Sequence, residues 1–485
     1  MPIRRRAAAK AMLAAGGGWA AAAFAKAAPA GKHAPDERIR TQVCVVGGGS
    51  GGIGAALAAA RVGAETVLVE REAILGGTMT LSWVHSWEPV SGADGLPRDL
   101  YEVMRRDPLG VSEPDYAKGA PRSTGRGLPF EPRALVSAAN ALLEAAGRCT
   151  VLVGTTFVHA RVDGDRVLAV EAYFAGKHLV IEADVFIDCT ADGDVCAEAG
   201  CDFHLGEDPR NRYDEPSAPV SASAWLNSCS LVYRITDTGV RQKPYLPEGV
   251  REGLCPRPVH IAVLPNGDHL LNPVRMIEGN AILRDDYGRL MREGHRRVLE
   301  HFHWLQTLDP KEGGRWTRFV RETGYGTWTI SGVAPRIGVR ESRRILGDYV
   351  LTEHDLRAGV RGQTHPDAIA ASDHNVDLHG RKGRNYAMPN GPYGVPYRCL
   401  LPRGAGNLMI ASRAASFSHV AASSCRLSRT VMTLGQAAGT AAAMSVKHGV
   451  PPRGVDAAEL QAALKARGVA VSAEQLSAPP ASDAR

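Results

Sequence analysis

Between Val45 and Leu57 the chain reads VVGGGSGGIGAAL: the end of an apolar strand, a glycine-rich turn and the start of an Ala-rich helix. Each glycine there has a separate expected task. Gly47 permits the sharp turn out of the strand, Gly49 lets the backbone approach a pyrophosphate, and Gly52 lets the helix press against the sheet. Free amides and the positive end of the helix dipole then favour the phosphate charge. Alone, such a loop is a weak signal. Here it follows the apolar run 43–46 and opens a helix expected over about 51–62, and the next strand, expected at 65–70, ends on Glu70. That is a β-α-β unit. A carboxylate at Glu70 accepts hydrogen bonds from ribose hydroxyls and repels a 2′-phosphate. The unit therefore points to an adenine dinucleotide, with NAD and FAD both open.

At 485 residues the chain is long enough for two or three domains, and its 44% hydrophobic and 22% charged content is ordinary for a globular protein. The formal charge of +6 does not mark a nucleic-acid partner. Arg4, Arg5, Arg6, Lys10 and Lys26 are five of the six basic residues ahead of the first acidic residue, and without these five the basic count falls from 57 to 52 against 51 acidic. No basic stripe interleaved with aromatics follows. Residues 1–35 read as a signal peptide and linker. They resemble a twin-arginine leader, with Arg5-Arg6 as the pair, Lys10 behind it and an A-x-A site at Ala25-Lys26-Ala27. Ala8 and Ala9 stand where that pattern prefers Phe and Leu. The expectation is export of the folded protein by the twin-arginine machinery to the periplasm or beyond, with no membrane span. Nine cysteines without a C-x-x-C pair give no zinc or dithiol motif, and they read as small core residues.

Further along, a helix is expected from Glu131-Pro132 to about Gly147, and Asp163-Gly164-Asp165 marks a hairpin turn. Residues 206–390 are irregular and rich in Pro, Trp and charge. The α/β pattern returns at Asn407–Ala411, followed by a long small-residue helix near 428–447 and a capped helix from Asp456. FAD is too long for one β-α-β unit, so other segments should return to it. Three candidates do: Leu75-Gly76-Gly77-Thr78, the strand and turn 183–194, and 407–443.

With these segments the chain resembles the bacterial FAD-dependent oxidoreductases whose FAD domain is of the glutathione-reductase type. The resemblance runs from about 42 to 470 and is weakest at 206–330. It rests on the loop 47–52, Gly76-Gly77, the turn 188–194, the block Arg340-Glu341-Ser342-Arg343-Arg344-Ile345, and Gly435-Gln436-Ala437-Ala438-Gly439-Thr440-Ala441-Ala442. Ala191 and Ser412 stand where the family usually has Gly, each adding a small side chain near the flavin path. The resemblance implies an α/β fold, with a Rossmann-like FAD-binding domain discontinuous in sequence (40–205 and 391–470). An α+β substrate or cap domain (206–390) is inserted, and a disordered tail (471–485) follows. The expected FAD-binding residues are Gly47, Gly49, Ser50, Gly51, Gly52, Glu70, Arg71, Gly76, Gly77, Thr78, Val158, Thr190, Ala191, Asp192, Ser412, Arg413, Gly435 and Ala438. The start of the small-residue helix, after the strand ending at Ala411, is expected to stabilise a reduced, anionic flavin.

Flavin carries the electrons, so the protein must orient substrate and move a proton. His85, between Trp83 and Trp87, and His419 are the expected bases. Arg340 and Arg343 are the expected clamp for an anionic substrate or oxyanion. His301 and His303 lie in a helical segment where they diverge, so no metal site is expected. The expected activity is hydride transfer from a small organic substrate to flavin N5, with an unidentified electron acceptor. A flavin-binding protein without net redox turnover and an NAD-dependent dehydrogenase are the alternatives.

Overall fold

A computed structural model of the chain describes residues 35–88, 94–113, 116, 127–250, 259–273, 276–280, 287–379, 390–471 and 475–476. The leader, and all of the expected tail except 471 and 475–476, lie outside them.

Strand β1 (Glu37–Val46) is charged and exposed at its start and fully buried over its last four residues. Helix α1 (Ser50–Val62) follows and stops at Gly63, whose φ of 106° is the left-handed conformation of a helix end. Strand β2 (Thr66–Val69) returns parallel to β1, pairing Val43 with Thr66 and Val46 with Val69. Helix α2 (Leu96–Met104) precedes α3 (Pro132–Ala146), which begins with Pro in its first turn and ends at left-handed Gly147. Strand β3 (Cys149–Leu152) adds to β2 in parallel. The meander β4 (Thr155–Asp163), β5 (Arg166–Phe174) and β6 (Lys177–Asp188) is antiparallel, and pairing of Asp163 with Arg166 leaves Gly164-Asp165 as a two-residue turn.

The chain then leaves for a second layer. A four-stranded antiparallel sheet, order β8-β9-β7-β10, is built from β7 (Tyr233–Asp237), β8 (Val259–Val263), β9 (His269–Pro273) and β10 (Trp328–Val333). The 21-residue helix α4 (Tyr287–Thr307) packs against it. This layer has its own apolar core, drawn from Cys229 to Ile337. That is narrower than the 206–390 expected for the inserted domain: Ile345, Leu351, Leu356, Ile369, Val376 and Leu378 pack instead into the core of the first layer.

Strand β11 (Leu408–Ile410) brings the chain back, pairing in parallel with the last three residues of β6. The seven-stranded sheet therefore runs β3-β2-β1-β6-β5-β4 with β11 on β6. Strand β6 serves two neighbours on one side, β5 along its first half and β11 at its end, while β1 lines the whole of its other side. Val46, Val69, Asp188 and Ile410 are thereby brought level at the carboxyl edge of the parallel strands. In α/β sheets ligands bind at that edge.

The last elements are α5 (His419–Cys425), α6 (Ser428–His448) and α7 (Ala457–Lys465), the last capped by Asp456. The long small-residue helix expected near 428–447 is α6, and the short α5 stands between it and β11. Helix α6 crosses α1 on a seam without side chains. A Cβ on Gly435 would lie closer than 3.0 Å to the Gly51 carbonyl, one on Gly439 to that of Ala55, and one on Gly54 to that of Met432. Backbone cannot yield as a side-chain tip does, so these contacts exclude any larger residue.

Alanine is the better helix former by about 1 kcal/mol in an open helix interior. At this crossing the clash outweighs that preference, so Gly435→Ala is expected to cost about 2 kcal/mol or more in denaturant unfolding. Gly326→Ala, where nothing lies within 4 Å of the added carbon, is the control and is expected to change stability by about 0.5 kcal/mol or less.

Candidate active site

The loop 47–49 leaves β1 with Gly47 at φ +102°, where a Cβ would strike the Cys189 carbonyl. Gly52 is pressed against the Gly47 carbonyl and Gly51 against that of Ala411, both too close for a side chain. Gly48 fits under Leu75 and Glu70. Gly49 differs from all of these. Its backbone is extended (φ −75°, ψ −161°) and, among the described residues, nothing lies within 4 Å of where its Cβ would stand. Helix α1 has no side-chain cap and no acidic residue in its first turn, so the amides of Ser50, Gly51 and Gly52 point outward as unpaired donors.

Glu70 closes one side, its carboxylate taking the Gly48 amide at 2.6 Å and the Glu72 amide at 2.8 Å. Burial pushes this carboxyl above its ordinary range against the pull of those two bonds. Arg71 is exposed and pairs with Glu72 at 3.4 Å. Val158 falls at the β-bulge between Phe157 and His159, where the ladder to β5 skips it. Gly76 (φ 109°) donates its amide to the Gly48 carbonyl at 2.8 Å, and Gly77 (φ 52°) lies against Gly49. The segment from Gly76 through Thr78 thus forms the opposite wall.

The turn after β6 is organised by Asp188, which is fully buried. It accepts the Thr190 amide at 2.9 Å, the Thr190 hydroxyl at 2.6 Å and the Cys196 amide at 2.8 Å. Burial, with Asp194 nearby, pushes this carboxyl up to about 6. Ala191 is exposed on the open side, and Asp192 takes Arg413 at 2.7 Å. Ser412 is buried and accepts the Ala414 amide at 3.2 Å, shaping the turn after β11.

The block Arg340–Ile345 ties this turn to the second layer. Glu341 bonds both the amide and the side chain of Asn227, Arg344 at 2.7 Å and His419 Nδ1 at 2.7 Å. Burial alone would raise Glu341; His419 and Arg344 hold it below its ordinary range instead. Arg344 reaches Asp208 at 3.0 Å and the Gly206 carbonyl at 2.8 Å. Arg343 binds Asp194 at 2.8 Å and the Asp192 carbonyl at 3.0 Å, so it belongs to the frame of the turn and is not the clamp expected of it.

The two histidines part company with their expected role. His85 is 1% exposed, wedged between Trp83 and Phe130, with Nδ1 on the Phe130 carbonyl, and burial pushes it down to about 3. It is a neutral core residue. His419 is also buried, with its amide on Asp208 at 2.9 Å and Trp225 edge-on at 5.6 Å, so it holds the ionic cluster together. Gly435 and Ala438 likewise lie in the α1–α6 packing, while Gly51 packs its α-carbon against Ala411 and Val431 and leaves its amide to the cradle.

Comparison with known families adds the cofactor. The family model described as FAD dependent oxidoreductase matches residues 42–464. The chain belongs to that family. FAD is accordingly its cofactor, and its fold is the Rossmann-like α/β architecture of FAD-binding proteins. No protein of curated function matches the chain. Among solved structures, similar ones include a geranylgeranyl bacteriochlorophyll reductase-like protein from Thermoplasma acidophilum. It is 12% identical, with 90% of this chain and 95% of that one covered and a TM-score of 0.42. Another is the myxobacterial chondrochloren halogenase CndH, 13% identical, with coverages of 89% and 79% and a TM-score of 0.40.

This oxidoreductase fits FAD at an observable point: the open side of Gly49 faces the unpaired amides of α1 and the wall at Gly76–Thr78, a backbone cradle for a diphosphate. Glu70 stands where a ribose would lie, and Thr190–Asp192 with Ser412-Arg413 continue the groove along the sheet edge. Beyond them lies a polar cleft not anticipated from sequence. Glu88 stands in it, its carboxyl pushed up to about 7 by burial and by Asp377, against the pull of Arg429. Arg429 is fixed by two bonds to the Glu88 carbonyl. His374, His379 and Arg426 complete the cleft around Asp377. No local motif marks these residues; the nearest signal was Glu88's place one residue after the Trp83–Trp87 segment. Among the described residues no cluster of three or more His, Cys, Asp or Glu could hold a metal.

Gly49 separates a demand of the fold from a demand of the ligand. Gly49→Val in flavin-free protein is expected to unfold within about 0.5 kcal/mol of wild type, while FAD titration shows at least roughly tenfold weaker binding, about 1.4 kcal/mol. Unchanged FAD affinity in this variant would contradict the placement of the cradle.

Proposed function

We propose that this FAD-dependent oxidoreductase oxidises a small organic molecule by hydride transfer, with Glu88 as the proton-transfer group, and that it works outside the cytoplasm. The observation that carries the reading is Gly49: among the described residues nothing lies within 4 Å of a Cβ there, beside the uncapped start of α1 and the wall at Gly76-Gly77. When bound, FAD supplies a two-electron acceptor for the substrate hydride and passes the electrons to a second acceptor. The FAD-binding half is assigned to the glutathione-reductase type on its returning segments at 76–78, 188–194 and 407–413.

The protein's own contribution is positioning and proton management. Glu88 lies at the cleft beyond Arg413, and a carboxyl tuned to about 7 changes protonation near neutral pH. His85 and His379, pushed down to about 3, stay neutral at the same pH. His419 acts as a positioning residue through Glu341 and Asp208. The layer 229–337 is tied to the first layer by Arg234 on Glu131 at 3.0 Å, and Asp268 within the layer holds Arg234 in place. Export is supported by Arg5-Arg6, Lys10 and the Ala25–Ala27 site. Among the described residues no helix is long and apolar enough to cross a membrane. N-terminal sequencing of extracytoplasmic protein is expected to find a chain beginning after Ala27, and an uncleaved cytoplasmic product would contradict export.

The redox reading is tested by anaerobic mixing of the FAD-loaded enzyme with alcohols, amines and hydroxy acids. Loss of the visible flavin bands with one class supports it, and bands that no substrate or acceptor disturbs would sink it. For the substrate found, a base at Glu88 must be ionised, so activity is expected to rise with pH through about 7. Glu88→Gln is expected to lower kcat by roughly 10²–10⁴-fold and to abolish that rise. A variant that keeps the same pH limb would show that another group takes the proton.

A further inference from the structure

Two arginines face the cleft with less negative charge around them than their own. Arg340 donates from Nη1 to the Ser228 carbonyl at 2.7 Å and from Nη2 to the Ser230 hydroxyl at 2.9 Å, and both acceptors are neutral. Among the described residues it pairs with no carboxylate. Arg426, in the turn between α5 and α6, has among the described residues its nearest carboxylate oxygen, on Asp377, at 4.0 Å, and no partner for its buried Nε. Asp377 is itself engaged by His379 Nε2 at 2.5 Å. The two arginines are held by one short frame. The Ser228 amide donates to the His379 carbonyl at 3.2 Å, so the strand carrying the acceptor of Arg340 is bonded to the segment carrying the partner of Arg426. The Arg426 side chain keeps 11% of its surface exposed.

Charge accounting in this frame leaves a surplus. Burial, and after it Arg340, pushes His379 down to about 3; burial and Arg426 likewise lower His374, so both are neutral at pH 7. Burial raises Asp377, but His379 and Arg426 outweigh it and leave an ionised carboxylate. Glu341 and Arg413 also act on Arg426, but Glu341 is held by Arg344 and His419, and Arg413 is paired with Asp192, so among the described residues Asp377 is the carboxylate left to the two guanidinium groups. The strain is visible on Arg340, which burial and the charge of Arg426 bring down to about 10. Holding two like charges together in a low-dielectric cleft is unfavourable unless an anion joins them. A guanidinium presents its donors in a planar fork that matches a carboxylate.

We propose that the substrate is a small organic acid whose carboxylate is bridged between Arg340 and Arg426 in the cleft beyond Arg413. This assignment rests on the oxidoreductase reading, and it replaces Arg343 with Arg426 as the second arm of the clamp. The carboxylate fixes one end of the molecule, and Asp377, which acts on both arginines and on Glu88, links the anion site to the proton-transfer group.

The test is calorimetric titration of the purified full chain at pH 7 with acetate, glycolate and benzoate, and with acetamide and benzamide as neutral counterparts. Flavin content is read separately from the absorption spectrum. Carboxylates are expected to bind and amides not. Arg340→Lys and Arg426→Lys keep the charge and lose the fork, and each is expected to weaken carboxylate binding roughly tenfold with melting temperature and FAD content unchanged. Among the described residues the Arg426 side chain makes no internal hydrogen bond, so Arg426→Lys tests the site even if changes at Arg340 disturb folding. No carboxylate binding, equal binding of the amides, binding unaffected in both variants, or sulfate binding as tightly as any carboxylate would each overturn the proposal. A chain that holds FAD and ignores carboxylates refutes this inference alone. A chain that binds carboxylates at the two arginines but no flavin refutes the oxidoreductase reading and leaves the anion site standing.

Discussion

The contact on which the rest of the molecule depends is the side-chain-free meeting of α1 with the backbone around it. Gly52 lies on the Gly47 carbonyl, Gly51 on that of Ala411, Gly54 on that of Met432, and Gly435 and Gly439 lie on α1 in return. Each approach is closer than a Cβ allows, so α1 sinks towards the sheet edge and α6 sinks onto α1. The consequence is positional. With its start drawn down beside β1, β6 and β11, α1 presents three unpaired amides at the edge where those strands end level. Glycine costs a helix stability when its surroundings are open, and here the close packing it permits compensates.

A second tie joins this edge to the inserted layer. In six consecutive residues, 340–345, the chain contacts Ser228, Asn227, the turn at 191–194, Asp208 and the apolar core. Buried ion pairs such as Arg344 with Glu341 and Asp208 add little net stability once desolvation is counted, but removing one partner is costly. Their effect is specificity of placement. The layer built around residues 229–337 can seat in only one way, with Arg340 facing the cleft and Arg343 and Arg344 turned into the frame.

Much of this was legible in the sequence where local physics decides. The β-α-β unit, the helix from Pro132 to Ala146, the Gly164-Asp165 turn and the Asp456 cap all follow from periodicity, glycine and capping residues, and they stand where expected. The FAD family was legible because its glycines answer to backbone geometry. Residue roles inside the cleft were not, because side-chain environment is set by segments far apart in the chain. His85 between two tryptophans is consistent with either a base or a core residue; only the Phe130 carbonyl and its burial settle it. The three arginines of the 340–344 block are alike in sequence, and their partners alone separate the frame from the cleft. Glu88 owes its raised carboxyl to burial and to Asp377, nearly three hundred residues away, a pairing no local pattern announces. The inserted layer was drawn too wide because residues between 345 and 378 are irregular in sequence yet pack on the first core.

The fold, the cradle and the cleft are joined by one molecule, so the most direct check is the chromophore itself. Purified under native conditions and then denatured, the protein is expected to show the visible bands of a flavin and to release FAD. Substantially one FAD per chain is expected after reconstitution. A colourless protein that cannot be reconstituted with FAD, or one that releases only a nicotinamide dinucleotide, would contradict the account.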